Sequence, residues 1–191
     1  MKGVALLALA TLALATSADA ARVVGTDARD GLHGTTRDDV LLARAGNDLV
    51  YAERGDDRAA GGEGRDWMDG GLGDDVLFGG GGRDFLYGGP GADHLVGGSG
   101  PDGLSGNSGE DLIDARDGPR RTLADCGVPP CWRPVVPADA DVVDGGDGDD
   151  LILALDGRPD VIRCREGSDR VVADRADTVS PFGDCEAVRR A

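Results

Sequence analysis

Residues 61–96 read GGEGRDWMD (61–69), GGLGDDVLF (70–78), GGGGRDFLY (79–87) and GGPGADHLV (88–96). Four consecutive blocks of nine fit one template, G-G-x-G-x-D-x-U-x, where U is a large apolar residue. Each part of the template has a physical reason. Glycine reaches positive φ and lets backbones approach closely, so six residues can close a tight loop. The aspartate offers a hard, charged oxygen of the kind a hard cation takes. The closing x-U-x is a short strand, and a period of two sends U inward while its neighbours point out. A period this short and this regular is the mark of a coiled repeat architecture.

The same register runs without a break from Gly25 to Asp114, which makes ten repeats. The aspartate position holds Asp30, Asp39, Asp48, Asp57, Asp66, Asp75, Asp84, Asp93, Asp102 and Asp111. The inward position holds Leu32, Leu41, Val50, Ala59, Met68, Leu77, Leu86, Leu95, Leu104 and Ile113, all apolar. The glycines are less uniform. The first two repeats have Thr26-Asp27-Ala28 and Thr35-Thr36-Arg37 where Gly-x-Gly would stand. Arg44 and Glu53 take the second position in the next two, and Asn107 takes it in the tenth; Asn tolerates left-handed backbone better than most residues.

This pattern resembles the RTX family, the hemolysin-type calcium-binding repeat. The resemblance implies an all-β, right-handed parallel β-roll, a β-helix-like solenoid with two nonapeptides per turn. It further implies Ca²⁺ between the loops of repeats two apart, which pairs Asp66 with Asp84 and Asp75 with Asp93. Loop backbone completes the oxygen shell. The implied metal residues are Gly62, Gly64, Asp66, Gly71, Gly73, Asp75, Gly80, Gly82, Asp84, Gly89, Gly91, Asp93, Gly98, Gly100 and Asp102. Asp48, Asp57 and Asp111 extend that set. The glycine-poor first two repeats are expected to hold calcium weakly or not at all, as end caps of a solenoid.

The chain has 191 residues, 33 glycines, 4% aromatics and a formal net charge of −16. Such a composition suits disorder unless something neutralises the aspartates. The acidic balance argues against nucleic acid as a partner and favours multivalent cations. Residues 1–20 read as a secretory signal: Lys2 opens it, Val4 to Ala15 is the apolar core, and Ala18-Asp19-Ala20 is an A-x-A cleavage site. That apolar run is too short to span a membrane. The expected location is therefore secreted and extracellular, where four cysteines suggest two disulfides.

The organisation that follows is a β-roll over 21–115, an irregular Pro/Cys insertion over 116–135, a second, degenerate β-roll segment over 136–180 and a C-terminal cap over 181–191. The insertion holds Pro119, Pro129, Pro130 and Pro134, the Cys126 to Cys131 pair and Trp132, which is expected to cover an edge of the roll. After it the register returns at Asp141 and Val143 and is clean over 145–153. One inserted residue leads to Asp160 and Ile162, then to Asp169 and Val171, and a shorter step reaches Asp177 and Val179. Asp150 facing Asp169 is the best metal pair of this half. Cys185 lies close to one turn beyond Cys164, a spacing suited to a staple on the last turn. Cys126–Cys131 would be the second disulfide, and two other connectivities stay open.

Zinc signatures, a G-x-S-x-G elbow and paired C-x₂-C motifs are absent from the sequence. His33 and His94 fall on outward or loop positions. Family members often join the repeats to a catalytic domain, and the residues outside the repeats here are too few for one. The expected protein binds several Ca²⁺ ions, folds on binding them and does no catalysis. Two alternatives stand beside it. One is a calcium-dependent protein or glycan binder using an outward strip of Tyr51, Trp67, Phe85 and Tyr87. The other is a small hydrolase with a site in the insertion.

Overall fold

The computed structural model describes residues 12–14, 20–116, 140–179, 185 and 187–190. Among the described residues eighteen strands, numbered in chain order, form two nine-stranded parallel sheets. The first holds β1 (Leu12–Leu14), β3 (Gly31–His33), β5 (Leu49–Tyr51), β7 (Trp67–Asp69), β9 (Phe85–Pro90), β11 (Gly103–Ser108), β13 (Val142–Asp147), β15 (Val161–Arg163) and β17 (Thr178–Val179). The second holds β2 (Arg22–Val24), β4 (Val40–Gly46), β6 (Arg58–Gly64), β8 (Val76–Gly82), β10 (His94–Ser99), β12 (Leu112–Asp114), β14 (Leu151–Ala154), β16 (Arg170–Ala173) and β18 (Ala187–Arg190). The chain crosses between sheets after every strand, so odd and even repeats occupy opposite sides of one coil. This is the all-β parallel roll expected from the sequence. Among the described residues no helix is long and apolar enough to cross a membrane.

The register explains the core. Met68 lies beside Val50 and Leu86, and Leu77 beside Ala59 and Leu95, each one turn away. These inward side chains stack into one buried column per sheet, from Leu32 and Leu41 to Ile162 and Val171. The first loop position is a further inward column that sequence reasoning did not single out. Ala43, Ala52, Ala115, Ala154, Cys164 and Ala173 fill it, and in the other described repeats it is glycine. The coil is narrow, so only small residues fit there.

Several strands run past x-U-x into the glycine pair, as in β8, where Gly80 pairs with Gly62 and Gly98. The glycines serve two purposes. Gly80 and Gly82 have φ of 116° and 129°, where glycine is favoured. Gly79 carries no positive φ; it is glycine because a Cβ would stand 2.6 Å from the Gly97 carbonyl oxygen and 2.7 Å from Asp84 Oδ2.

The coil is continuous across the insertion. Leu104 of β11 pairs with Val143 of β13, and Ile113 of β12 with Ile152 of β14. The 136–180 segment therefore extends the same two sheets. Cys164 and Cys185 form a disulfide with their Cα atoms 5.4 Å apart, tying the turn of β16 to the chain end that forms β18. The Cys126–Cys131 pair and Trp132 lie outside the described residues. Within residues 1–20, the stretch expected to be a signal, Leu12–Leu14 pairs with Gly31–His33 at the start of the first sheet.

Candidate metal centre

Each motif aspartate sits at the junction of loop and strand, with its side chain turned into the coil. The whole series is buried; Asp57, Asp84 and Asp169 are 0% exposed. One carboxylate oxygen has a structural duty. The Asp66 amide donates to Asp84 Oδ1 at 2.9 Å, and the Asp75 amide to Asp93 Oδ1 at 2.8 Å. On one edge of the coil this chain of bonds runs from Asp30 through Asp48, Asp66, Asp84 and Asp102 to Asp141, Asp160 and Asp177. On the other it runs from Asp39 through Asp57, Asp75, Asp93 and Asp111 to Asp150 and Asp169. Both columns thus bridge the insertion. Asp141 and Asp160 belong to the first column, although the sequence analysis did not place them among the metal residues. Their signal was the preserved Asp-x-apolar register.

The second oxygen divides the repeats into two kinds. In Asp48, Asp57, Asp66, Asp75, Asp84, Asp93, Asp111, Asp150 and Asp160, Oδ2 is buried and takes no hydrogen bond. A buried carboxylate oxygen without a donor is costly. At the ends of the coil the chain satisfies it. Asp30 Oδ2 accepts the Thr26 amide at 2.5 Å and the Thr26 hydroxyl at 2.9 Å. Asp39 Oδ2 accepts the Thr35 amide, with the Thr35 hydroxyl 3.1 Å from Oδ1. Asp177 Oδ2 accepts the Asp174 amide at 2.7 Å. The two threonines stand where other repeats have the second glycine, so they are built-in caps.

Burial makes the middle carboxylates reluctant to ionise. It pushes Asp84, Asp57, Asp93, Asp150 and Asp160 up to about 7, with neighbouring carboxylates adding to the effect. Asp66, Asp75 and Asp111 rise to about 6, and Asp141 to about 8, with burial again the main cause. Amide donation from the preceding turn opposes the rise in every case.

The donor set tells which ion fits. Among the described residues no three His, Cys, Asp or Glu side chains gather as a cluster. Zinc and other ions that take nitrogen and sulfur are poorly served by such a site. The orphaned carboxylate oxygen stands near a backbone carbonyl, as at Gly79, where Asp84 Oδ2 and the Gly97 carbonyl oxygen flank the place a Cβ would take, and the loops stack further carbonyls turn on turn. A Cβ on Gly80 would collide with the Gly62 carbonyl oxygen, one on Gly82 with that of Gly64, and those on Gly89, Gly91, Gly98 and Gly100 with their counterparts one turn back. Hard oxygens in a flexible, many-donor shell suit Ca²⁺. The orphaned oxygens and the cradle of Gly79, which a Cβ would fill, both fit that ion.

The aromatic strip is present, extended and self-stacked. His33 and Tyr51 lie face to face with centroids 4.8 Å apart, while Tyr51 and Trp67 at 5.0 Å and Trp67 and Tyr87 at 5.6 Å are tilted pairs. Trp67 leans over the position of Asp69, between the tyrosines of the neighbouring turns. Arg65 covers the Phe85 ring at 5.3 Å. Such ring pairs form a cross-strand ladder along the strip. Burial, with Glu53 adding, also raises the Asp69 carboxyl above its usual range.

Fold and site together define a parallel β-solenoid with periodic sites for a hard cation. The RTX calcium-binding nonapeptide repeat matches the chain in four copies, over residues 24–59, 53–86, 87–119 and 138–161. The chain belongs to that family. No curated protein matches it.

Proposed function

We propose that this chain is a secreted, non-catalytic calcium-binding protein whose coil is completed by several Ca²⁺ ions held between successive loops. The observation that carries the reading is the division among the aspartates. End repeats satisfy Oδ2 with threonine or backbone donors, and middle repeats leave it buried without one. Bound calcium would supply the positive charge that those oxygens lack. Asp66 to Asp111, with Asp150 and Asp160, are the proposed carboxylate ligands, and carbonyls of the second and fourth loop positions are the proposed backbone ligands. Asp48, Asp57 and Asp160 are weaker members, because Ala43, Ala52 and Ala154 put a methyl group where other loops begin with glycine. The Thr-capped first two repeats stay metal-free. The Cys164–Cys185 disulfide and the Ala18-Asp19-Ala20 signature support an extracellular setting, where calcium is plentiful.

Native mass spectrometry of the calcium-loaded protein tests the reading. Several bound ions are expected, and replacing Asp30 should not change their number. A protein that stays ion-free in millimolar calcium overturns it.

A further inference from the structure

Over the first seven repeats the residue just before the motif aspartate differs between the two edges of the coil. On the edge formed by even repeats it is Asp38, Asp56 and Asp74 in successive turns. On the edge formed by odd repeats it is Arg29, Asn47, Arg65 and Arg83. All of these side chains are exposed, while the aspartates beside them are buried.

Hydrogen bonds fix where the extra carboxylates lie. Asp38 Oδ1 accepts the Asp56 amide at 3.0 Å, Asp56 Oδ1 the Asp74 amide at 3.0 Å, and Asp74 Oδ1 the Ala92 amide at 2.9 Å. These outer aspartates reach forward one turn, whereas the motif aspartates reach back one turn. Two gaps between even loops are therefore bounded by two carboxylates each, Asp56 with Asp75 and Asp74 with Asp93. In both gaps the buried Oδ2 of the motif aspartate, 1% and 2% exposed as a residue, has no donor. On the opposite edge Arg65 also reaches forward, onto the Phe85 ring next to Asp84. At the loop position that holds a carboxylate on the even edge, this edge thus carries a cation, here held over the Phe85 ring.

We propose that the two columns of cation sites are unequal: the even edge, with its doubled carboxylates, takes divalent cations first and most tightly, and the arginine-guarded odd edge fills second. The proposal rests on the calcium-binding reading above. Its physical basis is Coulombic. Exchanging Asp for Arg at one loop changes the local charge by two units, and a divalent ion feels that change twice over. Loading would thus begin along one side, leaving the other open until calcium rises further.

Calorimetric titration of the metal-stripped full chain with calcium tests this with two double variants. Asp56→Asn with Asp74→Asn keeps the Oδ1 acceptor, as Asn47 does for the Arg65 amide at 2.9 Å, and removes only charge. The parent should show two classes of site. The Asn pair should weaken the tight class by about tenfold, the effect of one unit charge on a divalent ion ~6 Å away in a water-like medium. Arg65→Gln with Arg83→Gln should leave the tight class alone and tighten the weak one. The proposal is overturned if both pairs shift the same class, or if the arginine pair changes nothing. A parent that takes up no calcium contradicts the function instead, so the two failures are distinguishable.

Discussion

The Asp66 amide donates to Asp84 Oδ1 at 2.9 Å, and the other oxygen of Asp84 is buried without a donor. One carboxylate thus joins two turns of backbone with one oxygen and faces the loop with the other. The two duties separate by substitution. Asp84→Asn keeps an oxygen acceptor for the Asp66 amide but removes the charge. We expect it to lose at least one calcium by calorimetry while the metal-free protein is no less stable. Asp84→Ala should lose both. Asp30→Ala, at a site capped by Thr26, should leave the calcium count unchanged, and a lost ion there would contradict the capping role.

Acidity should partly replace calcium. Burial raises Asp57, Asp84 and Asp93 to about 7, above an unfolded value near 3.8. The folded state then binds more protons than the unfolded state between those values, so its stability falls as pH rises through that window and recovers on acidification. Metal-free protein should gain β signal in circular dichroism on going from pH 7.5 to about pH 5. Calcium should bind more weakly at the lower pH, because protons compete for the same oxygens. A metal-free protein that loses β signal on acidification would be inconsistent with buried, proton-taking carboxylates.

Arg44 and Glu53 adopt φ of 84° and 85° at loop positions that are glycine in the following turn, Gly62 and Gly71. Left-handed backbone costs a non-glycine residue roughly 1–2 kcal/mol. Arg44→Gly and Glu53→Gly should each stabilise the calcium-loaded coil by about 1 kcal/mol, read by thermal melting at fixed calcium. The exposed His33–Glu53 pair, 3.5 Å apart, is too weak to offset that gain. Lower melting temperatures in both variants would mean that the side chains do more than tolerate the turn.

The Cys164–Cys185 disulfide closes a separation of 21 residues. Cys164→Ser should cost roughly 3 kcal/mol at the last turns, chiefly by freeing the unfolded chain. Hydrogen exchange should quicken over 161–179 and stay unchanged around Leu86 and Leu95. Equal loss of protection along the whole coil would mean that the staple acts globally.

The inward position and the aspartate position were legible in the sequence because each is a strict period of nine in residue chemistry. That two nonapeptides make one turn, which puts Leu77 beside Leu95 and splits the aspartates into two columns, came from the resemblance to the RTX repeat. Other features are spatial and carry no period. Gly79 and Gly80 look alike in sequence, yet one avoids a side-chain collision and the other adopts positive φ. Thr26 and Thr35 read as defects in the glycine pattern, and only the fold turns them into donors for Asp30 and Asp39. Their recurrence at the same loop position in adjacent repeats was the available signal. The union of Leu104 with Val143 could not be read through the register break at 116–135. The aromatic strip was visible as a spacing, but the turning of Trp67 between Tyr51 and Tyr87 depends on packing.

Circular dichroism during a calcium titration of the metal-stripped chain tests most directly whether calcium completes this fold. Without the ion, two columns of buried aspartates must either ionise against one another or stay protonated at neutral pH, so the coil should be largely unfolded in chelator. Added calcium should restore the β signal with a Hill slope above one, since each loop ordered helps the next, at about 10⁻⁴–10⁻³ M as in other extracellular modules. Magnesium should substitute poorly, because it demands a smaller, stricter shell. A fully formed coil in excess chelator at neutral pH, unchanged by calcium, would contradict it.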